Sequence, residues 1–331
     1  MGKILVTGGA GYIGSHIVRV LTDRKQDVVV VDNLSEGNRA SIDGVPLVES
    51  DFADETMLDR VLAGGGVEFI VHMAANCEVG ESVENPAKYY ANNVTRSMRL
   101  LDAARRHGVR GIVFSSTAAT YGEPLEIPIT EAHPQLPTNP YGETKLAFER
   151  ALEWYHRAYG MSYVALRYFN AAGAHPDGTI GEDHRPESHI VPRLLRGVLE
   201  GGQEVPIFGT DWPTPDGTCV RDYVHIVDLA QAHVLAMDAM RSGDAKAEAF
   251  NLGNGEGFSV LQVIDTVGKV TGQRPPSRDA PRRAGDPATL VASSDRIRAQ
   301  LGWKPEFPTL EKIVSTAWEW HRTHPDGYGT S

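Results

Sequence analysis

The sequence lacks several features that would place it in a specialised class of protein. It has two cysteines, Cys77 and Cys219, which are far apart and form neither a C-x-x-C nor a zinc-finger spacing. Neither a disulfide framework nor a structural metal site is expected, and both thiols are interpreted as packed or idle. No run of about 18 apolar residues is present, so no membrane span is expected.

Positive charge is also scarce. The chain has 43 Asp and Glu residues against 32 Lys and Arg, a formal net charge of −11. This charge disfavours binding to nucleic acid, and any anionic ligand would need local arginines or helix N-termini. The N-terminus enters a strand-like run at once, without the three regions of a signal peptide. We therefore expect a cytosolic protein with no nucleic-acid or membrane partner.

The chain does contain a regular alternation of short β-branched segments and helix-length amphipathic segments. Runs such as KILVTG and DVVVVD are apolar on both faces, which is typical of parallel strands covered by helices. The pattern predicts a doubly wound α/β sheet of the Rossmann type over residues 1–170. Long Pro- and Gly-rich loops beyond it predict a smaller C-terminal α/β lobe for the substrate over 171–331, with the chain free to cross between lobes. Helices are expected over 14–25, 86–107, 142–159, 187–201, 226–242 and 259–271.

The segment VTGGAGYIG places Gly8, Gly11 and Gly14 between the first expected strand and the first helix. Glycines there permit a tight turn and the close approach of a pyrophosphate to a helix N-terminus. Asp32 ends the second strand, where a carboxylate can accept hydrogen bonds from a ribose diol and would repel a 2′-phosphate. NAD is therefore favoured over NADP. A structural turn with a polar strand end is the alternative.

A third strand ends in SDFAD, where Asp51 and Phe52 are candidates to cover the edge of an adenine. A plain loop is an almost equal alternative for this segment.

The segment NPYGETK sets Tyr141 four residues ahead of Lys145 at an expected helix start. Side chains at i and i+4 share a helix face, so the phenol and the ammonium would point the same way. Taken alone, a packed tyrosine beside a solvated lysine explains that spacing better.

Longer blocks carry a family resemblance. The glycine loop, MAAN, SSTAATYG and NPYGETK resemble the extended short-chain dehydrogenase/reductase family. Within it, YYANNV, RYFNAAGAHPDGTIGED, GTCVRDYVHIVDLA, FNLGNG and PRRAGDPA resemble the UDP-galactose 4-epimerases, and the match runs nearly end to end. The resemblance implies NAD as cofactor and interconversion of UDP-galactose and UDP-glucose as activity. UDP-N-acetylhexosamines and the UDP-pentoses (UDP-xylose and UDP-arabinose) stay open as alternative substrates.

The resemblance implies roles for three residues at the reacting carbon. Tyr141 would remove the proton of the sugar 4-OH, and Lys145 would bind the nicotinamide ribose. A phenol has an ordinary pKa of about 10, which Lys145 and a positively charged nicotinamide are expected to lower. Thr117 would hydrogen bond the same hydroxyl, with capping of local backbone as its alternative. Hydride would pass from C4 to NAD and return to the opposite face after the 4-keto sugar has turned.

Further positions match residues that hold cofactor and substrate in the family. The implied cofactor contacts are Gly8, Gly11, Tyr12, Ile13, Gly14, Asp32, Asn33, Asp51, Phe52, Met73, Ala74, Ala75, Asn92, Tyr141, Lys145 and Phe169. The implied substrate contacts are Thr117, Asn170, His189, Arg221, Arg283 and Asp286. The two arginines would bind the diphosphate, since guanidinium suits phosphate geometry, and Asp286 would take the uridine ribose.

The chain departs from the family pattern at three places. Ala75, Asn76 and Cys77 stand where some members carry Gly-Leu-Lys, so a cofactor-side lysine is missing. His189 stands where many members carry an asparagine that touches the substrate, although histidine can still donate a hydrogen bond. Leu290 lies near the position that limits the C2 substituent of the sugar. An aliphatic residue there favours the hypothesis that N-acetylated sugars are admitted.

The residues that other activities of this family would need are absent from the chain. A 4,6-dehydratase of this family would carry an Asp-Glu pair beside Thr117, but Ala118 and Ala119 follow it. A non-catalytic NAD-binding protein would be expected to lack Tyr141 or Lys145, and both are present. None of the twelve histidines forms an H-E-x-x-H or other helix-spaced cluster, so no metal is expected. Surplus apolar residues over 86–107 and 142–159 predict a homodimer through a four-helix bundle, as in the family.

Overall fold

A parallel sheet of seven strands forms the larger part of the molecule. The structure is a computed structural model that describes residues 2–63, 66–201, 204–283 and 286–329. The strands in chain order are β1 (Lys3–Thr7), β2 (Val28–Asp32), β3 (Leu47–Glu49), β4 (Val67–His72), β5 (Gly111–Thr117), β6 (Ser162–Tyr168), β7 (Asn170–Ala172), β8 (Val205–Phe208), β9 (Val220–His225), β10 (Ala247–Leu252), β11 (Gly257–Ser259), β12 (Ser277–Ala280) and β13 (Thr289–Leu290). The order across the large sheet is β3-β2-β1-β4-β5-β6-β10, with every neighbouring pair parallel.

Helices cover both faces of this sheet. They are α1 (Tyr12–Asp23), α2 (Glu55–Ala63), α3 (Val79–Glu84), α4 (Pro86–Tyr89), α5 (Ser97–Arg106), α6 (Pro140–Tyr159), α7 (Ile190–Glu200), α8 (Ile226–Ser242), α9 (Val260–Thr271), α10 (Asp295–Leu301) and α11 (Leu310–Thr323), with a π-helical stretch over Tyr90–Arg96 and short 3₁₀ turns over Arg39–Ile42 and Ala118–Thr120. The expected doubly wound fold is confirmed. No helix among the described residues is long and apolar enough to cross a bilayer.

Strand order explains why sequence reasoning missed one strand of the large sheet. β10 pairs with β6 along its full length, although it follows β6 only after several elements of the second lobe. The chain returns through α8, whose buried face packs on β6 and against α1. The proposed division at residue 170 remains a prediction, and β10 is the crossing that it allowed for.

The second lobe is built around β9. This strand pairs with β11, β13 and β7, and β12 pairs with β8 in a separate two-stranded sheet. Helices α7, α9 and α11 pack together over an aliphatic core that includes Leu194, Ile264 and Ile313, all fully buried. The lobe thus fixes β9 and its neighbours as a rigid platform beside the carboxyl end of the large sheet.

We predict that the fold loses stability steeply in mild acid. Burial lowers the pKa of five histidines to between about 3 and about 4: His16, His72, His225, His233 and His321. An unfolded histidine takes up a proton below about pH 6.5, before these folded ones do, so stability present above that pH is lost as the pH falls. Each of these five histidines should lower the free energy of unfolding by about 1 kcal/mol at pH ~5.5.

Two buried carboxylates act in the opposite direction, as do His184 and His189, whose pKa values Glu182 raises against the effect of burial. These groups are fewer than the five buried histidines and should not compensate for them. Burial raises the pKa of Asp222 and of Asp228 to about 6, so protonation below that pH favours the folded state. Urea unfolding monitored at about pH 7.5 and about pH 5.5 measures the net change. An equal or higher urea midpoint at the lower pH would contradict the prediction.

Candidate functional site

The carboxyl ends of the parallel strands meet at one edge of the sheet, and the glycine loop lies there. Gly8 follows β1 with a φ of +70°, and a Cβ on it would stand 2.6 Å from the backbone nitrogen of Ala74. A Cβ on Gly14 would stand 2.1 Å from the carbonyl oxygen of Gly8. Only glycine lets this loop fold back onto the start of α1, for which Gly11 is the N-cap. The free amides at that end of α1 fit a pyrophosphate.

The two residues after Gly11 that were predicted as cofactor contacts begin α1. The hydroxyl of Tyr12 donates a hydrogen bond of 2.6 Å to the carbonyl of Gly173, which connects the glycine loop to the segment after β7. Ile13 is half-buried and packs against the core. Phe169 is half-buried between β6 and β7, near the same edge.

Asp32 sits at the end of β2, as expected, and holds the glycine loop. Its Oδ2 accepts a hydrogen bond of 2.9 Å from the amide of Ala10, and its Oδ1 accepts one of 2.8 Å from the amide of Leu34. Burial raises the pKa of this carboxyl, although the two amides oppose the shift. Each oxygen keeps a further lone pair, so a ribose contact remains available in addition to the structural role.

The other residues predicted to line the cofactor differ in exposure. Asn33 is exposed and accepts a hydrogen bond from the amide of Ser35. The Asp51 carboxylate accepts from the amide of Ala53 and lies 3.3 Å from Arg96. The ring of Phe52 is buried, 5.2 Å from that of His72 between centroids.

The segment after β4 approaches the glycine loop. The amides of Met73 and Ala74 both donate to the carbonyl of Thr7, at 3.0 and 3.1 Å, and Ala75 follows as a half-buried residue. The backbone of β1 and that of the residues after β4 are thereby joined where the two strands end.

Asn92 and Asn93 have different environments. Asn93 is buried, accepts a hydrogen bond of 2.9 Å from the amide of Asn76 and donates to the Asn76 carbonyl and to Thr144. It fixes the segment in which the sequence departs from the family. Asn92 is half-buried and accepts a hydrogen bond from Arg96. Sequence reasoning gave no role to Asn93 because its partners, the backbone of Asn76 and the hydroxyl of Thr144, are distant in sequence.

Tyr141 and Lys145 lie in the first turns of α6, where the sequence placed them. The side chain of Asn139 caps the helix by accepting from the amide of Gly142, and Pro140 occupies the first position. Lys145 is buried and its Nζ donates a hydrogen bond of 2.8 Å to the carbonyl of Ser115 in β5. Its Nζ lies 5.9 Å from the centroid of the Tyr141 ring.

Thr117 joins this pair from the end of β5. Its hydroxyl accepts a hydrogen bond of 3.2 Å from the amide of Ala119, and its side chain is near enough to the phenol of Tyr141 to favour the ionised form of that phenol. The backbone cap considered for Thr117 is therefore present, and its contact with the sugar hydroxyl stays a prediction. The structure brings the three predicted catalytic residues together.

The electrostatics of the pair differ from the sequence-based expectation. Burial raises the pKa of Tyr141 well above its usual value, although the nearby side chain of Thr117 opposes this. Burial also lowers the pKa of Lys145 to about 8. The expected lowering of the Tyr141 pKa is therefore not a property of the protein alone. The sequence shows the spacing of the two residues but not their burial.

The residues predicted to bind the diphosphate and uridine come together in the second lobe. Arg221, on β9, is largely buried, and its guanidinium lies 3.9 Å from the Asp286 carboxylate. The guanidinium of Arg283 lies 3.9 Å from the centroid of the Phe208 ring. Asn170 donates a hydrogen bond of 2.9 Å to the carbonyl of Asp222. Leu290 pairs in register with Arg221, so it is beside this arginine.

His189 is the N-cap residue of α7 and belongs to a cluster that sequence reasoning missed. Its Nδ1 lies 2.5 Å from Oε1 of Glu182, whose carboxylate also lies 3.1 Å from Nδ1 of His184. Burial opposes protonation of His189, but Glu182 and Glu187 outweigh it and raise its pKa to about 9. The four residues are in a loop and not at helical spacing, so no periodic pattern reveals them.

Comparison with known proteins adds the following findings. The model of the NAD dependent epimerase/dehydratase family matches residues 4–253. The UDP-glucose 4-epimerase of Halalkalibacterium halodurans is 52% identical over 327 residues, covering 99% of this chain and 98% of that protein. The crystal structure of UDP-glucose 4-epimerase from Brucella ovis in complex with NAD has a TM-score of 0.93 at 43% identity, covering 96% of this chain and 98% of the other.

A third comparison involves both expected ligands. The crystal structure of UDP-glucose 4-epimerase from Bifidobacterium longum, in complex with NAD+ and UDP, has a TM-score of 0.93 at 38% identity. The match covers 98% of this chain and 99% of the other. Similarity therefore extends over both the large sheet and the second lobe.

Proposed function

Since this chain belongs to the NAD dependent epimerase/dehydratase family, we propose that it interconverts UDP-galactose and UDP-glucose with a bound NAD. The observation that carries the proposal is the meeting of Tyr141, Lys145 and Thr117 at the strand edge that also holds the glycine loop. A hydroxyl acid–base group and a dinucleotide loop at one edge are what reversible oxidation of an alcohol requires.

The chain's own residues have separate tasks in this proposal. Tyr141 takes the proton of the sugar 4-OH and later returns one, while Thr117 holds that hydroxyl by hydrogen bonding. Lys145, fixed to the Ser115 carbonyl, supplies positive charge that favours the phenolate of Tyr141. NAD, when bound, would accept hydride from C4 and give it back, and its positive nicotinamide would favour the same phenolate.

Affinity in the proposal comes from the part of the substrate that does not react. Arg221 and Arg283 bind the diphosphate, with Asn170 and His189 as hydrogen-bonding partners, and Asp286 binds the uridine ribose. The sugar then stays free to turn so that both faces of C4 reach the cofactor. Binding energy from the nucleotide holds the 4-keto sugar in the site during that turn.

The decisive experiment uses purified protein and UDP-galactose with no added NAD. Chromatography of the nucleotide sugars should show UDP-glucose at equilibrium, because a cofactor that is regenerated in each cycle can stay bound. UDP-N-acetylglucosamine is tested in parallel, since Leu290 lies beside Arg221 and has no polar reach toward a C2 substituent. If neither UDP-galactose nor UDP-N-acetylglucosamine is converted, even with NAD supplied, the proposal is contradicted. The UDP-pentoses would then be the remaining candidate substrates.

We predict a preference for NAD over NADP that depends on Asp32. Its buried carboxylate lies beside the glycine loop, where the 2′-phosphate of NADP would be repelled. Titration of cofactor-stripped protein should give at least ~10-fold tighter binding of NAD, since a like-charge contact costs more than about 1.4 kcal/mol. Asp32→Asn keeps a side-chain oxygen for the Ala10 amide and should reduce the difference in affinity between NAD and NADP. Tighter binding of NADP by the unaltered protein would be incompatible with this role.

We predict that Arg221→Gln weakens substrate binding without slowing chemistry. A charged hydrogen bond to phosphate contributes about 1.5–3 kcal/mol, so the KM for UDP-galactose should rise roughly 10- to 150-fold. Its kcat should change little because the diphosphate is bound equally in ground and transition states. The matched control is Arg282→Gln, whose guanidinium stacks 4.1 Å from the Trp212 ring centroid. An equal rise in KM for both variants would argue against a specific role for Arg221.

Homodimer formation through α6 and the helices of 86–107 remains part of the proposal, as does a cytosolic location. On α6, Trp154 is 64% exposed and Tyr159 is 59% exposed. Large aromatic side chains in such positions favour a second copy of the chain as their cover. Sedimentation velocity at micromolar concentration measures the mass directly, and a monomer would contradict this part of the proposal.

A further inference from the structure

Four side chains of the loop between β7 and α7 converge on one point. Glu182, His184, Glu187 and His189 each offer one ligand atom, and these atoms all lie within 4.8 Å of one another. Nδ1 of His184 is 3.1 Å from Glu182 and 3.8 Å from Oε2 of Glu187. Nδ1 of His189 is 2.5 Å from Glu182 and 3.7 Å from Oε1 of Glu187.

These separations are close to those of a tetrahedral zinc site. With bonds of about 2.0–2.1 Å from zinc to nitrogen or oxygen, the ligand atoms stand about 3.4 Å apart. The two distances from Nδ1 of His184, to Glu182 and to Oε2 of Glu187, lie within about half an ångström of that value. Only the contact between His189 and Glu182 would have to open, by roughly 1 Å.

The cluster also leaves polar atoms without hydrogen bonds. Among the described residues, Nδ1 of His184 and Oε2 of Glu187 are buried side-chain atoms that have no hydrogen-bond partner. The Glu187 side chain is 4% exposed and its other oxygen accepts from the amide of His189. Two orphaned ligand atoms of opposite type, 3.8 Å apart, are what a cation between them would satisfy.

The charges and the types of the ligand atoms select the ion. Two carboxylates with two neutral imidazoles carry a charge of −2, which one divalent cation balances. Imidazole nitrogen suits zinc and disfavours magnesium and calcium, which prefer oxygen ligands. Two protons on the imidazoles would balance the charge as well, and this is the alternative that a metal measurement must separate.

We propose that Glu182, His184, Glu187 and His189 form a binding site for one Zn²⁺ ion per chain. The site would stabilise a loop that lies next to the glycine loop, because the ring centroid of His184 is 6.0 Å from that of Tyr12. The neighbouring Ser188 hydroxyl donates to Glu78, which connects the loop to the segment before α3. A metal on Nδ1 of His189 leaves the hydrogen on Nε2, the nitrogen free to donate to a substrate.

The test measures metal and not catalysis. Tag-free protein is stripped with a chelator, dialysed, mixed with Zn²⁺ and gel-filtered, and its zinc content is determined by mass spectrometry. One Zn²⁺ per chain is expected, and Co²⁺ in its place should give the intense visible absorption of a four-coordinate site. Competition with a chromophoric chelator should show at least ~10-fold weaker binding for Glu187→Gln and for His184→Ala.

A second histidine–carboxylate pair provides the control. His107 lies 2.8 Å from Asp59 on the surface, so His107→Ala removes a pair of the same chemistry elsewhere and should leave the zinc content unchanged. Glu187→Gln is nearly isosteric and serves if His184→Ala does not fold. Zinc content of the unaltered protein no greater than that of Glu187→Gln, or absence of the Co²⁺ absorption, would overturn the proposal. Neither result depends on whether the epimerase activity is found.

Discussion

Replacing Tyr141 with phenylalanine should lower kcat for UDP-galactose by roughly 10²- to 10⁴-fold, the range that positioned acid–base groups contribute. The variant loses only the phenolic hydroxyl, which lies near Thr117, and keeps the ring that packs in the site. Because the arginines of the second lobe are untouched, UDP should bind as before. The measurement is the initial rate of UDP-glucose formation together with a UDP titration.

A control on the same helix separates chemistry from folding. Tyr159→Phe removes a hydroxyl at the other end of α6, where the residue is 59% exposed, and should leave kcat unchanged. Comparable rates for Tyr141→Phe and Tyr159→Phe would exclude Tyr141 as the base. A rate lost together with UDP affinity would indicate a disrupted site and not a missing proton-transfer group.

The direction of the Tyr141 pKa has a consequence for when proton transfer can occur. Burial raises the pKa of this phenol in the protein and lowers that of Lys145 to about 8. Lys145 is still mostly protonated at neutral pH, so its charge is available. The positive charge of an oxidised nicotinamide would be the larger remaining influence in favour of phenolate. Proton abstraction would then be favoured while the cofactor is oxidised, which is the state that must receive hydride.

The apolar pattern predicted the first six strands of the large sheet because these strands are short and, apart from the three-residue β3, apolar on both faces. β10, with the sequence AEAFNL, carries a glutamate and small residues, and only its last three residues are fully buried. Its place beside β6 is set by α8, which packs on α1 from a distant part of the chain. Such a long-range contact leaves no local pattern in the sequence.

The same distinction separates the site residues that could be predicted from those that could not. Tyr141 and Lys145 share a helix face, and Gly8 and Asp32 end adjacent strands, so local spacing was enough for these four. The histidine–glutamate cluster of the β7–α7 loop depends on how one irregular loop folds. The sequence shows its members in order, E-x-H-x-x-E-x-H, but nothing periodic indicates that their side chains meet.

The face of α6 that carries Tyr141 and Lys145 continues to Glu149, which anchors the helix to the sheet. The Glu149 carboxylate lies 2.6 Å from the guanidinium of Arg167 on β6, with both side chains 7% exposed. It also accepts a hydrogen bond from Ser116 on β5. Arg167 in turn donates to the hydroxyl of Tyr121 at 2.9 Å. The proposed catalytic pair is thus positioned by a buried ionic network one helical turn further on.

Glu149→Gln should lower the free energy of unfolding by about 3–5 kcal/mol, because it leaves the buried charge of Arg167 without a counter-ion. Urea denaturation measures the loss, and Glu153→Gln on the same helix is the control. Glu153 is 46% exposed and pairs with Arg157, so its loss should cost no more than about 1 kcal/mol.

Adding Arg167→Met to Glu149→Gln tests the cause, since removing the unpaired charge should recover part of the stability. A double variant less stable than Glu149→Gln alone would show that packing around Arg167, and not its charge, dominates. The same series reports on the site. If the network holds α6 in place, kcat should fall in Glu149→Gln and stay normal in Glu153→Gln, with the fall smaller than in Tyr141→Phe because the phenol is still present.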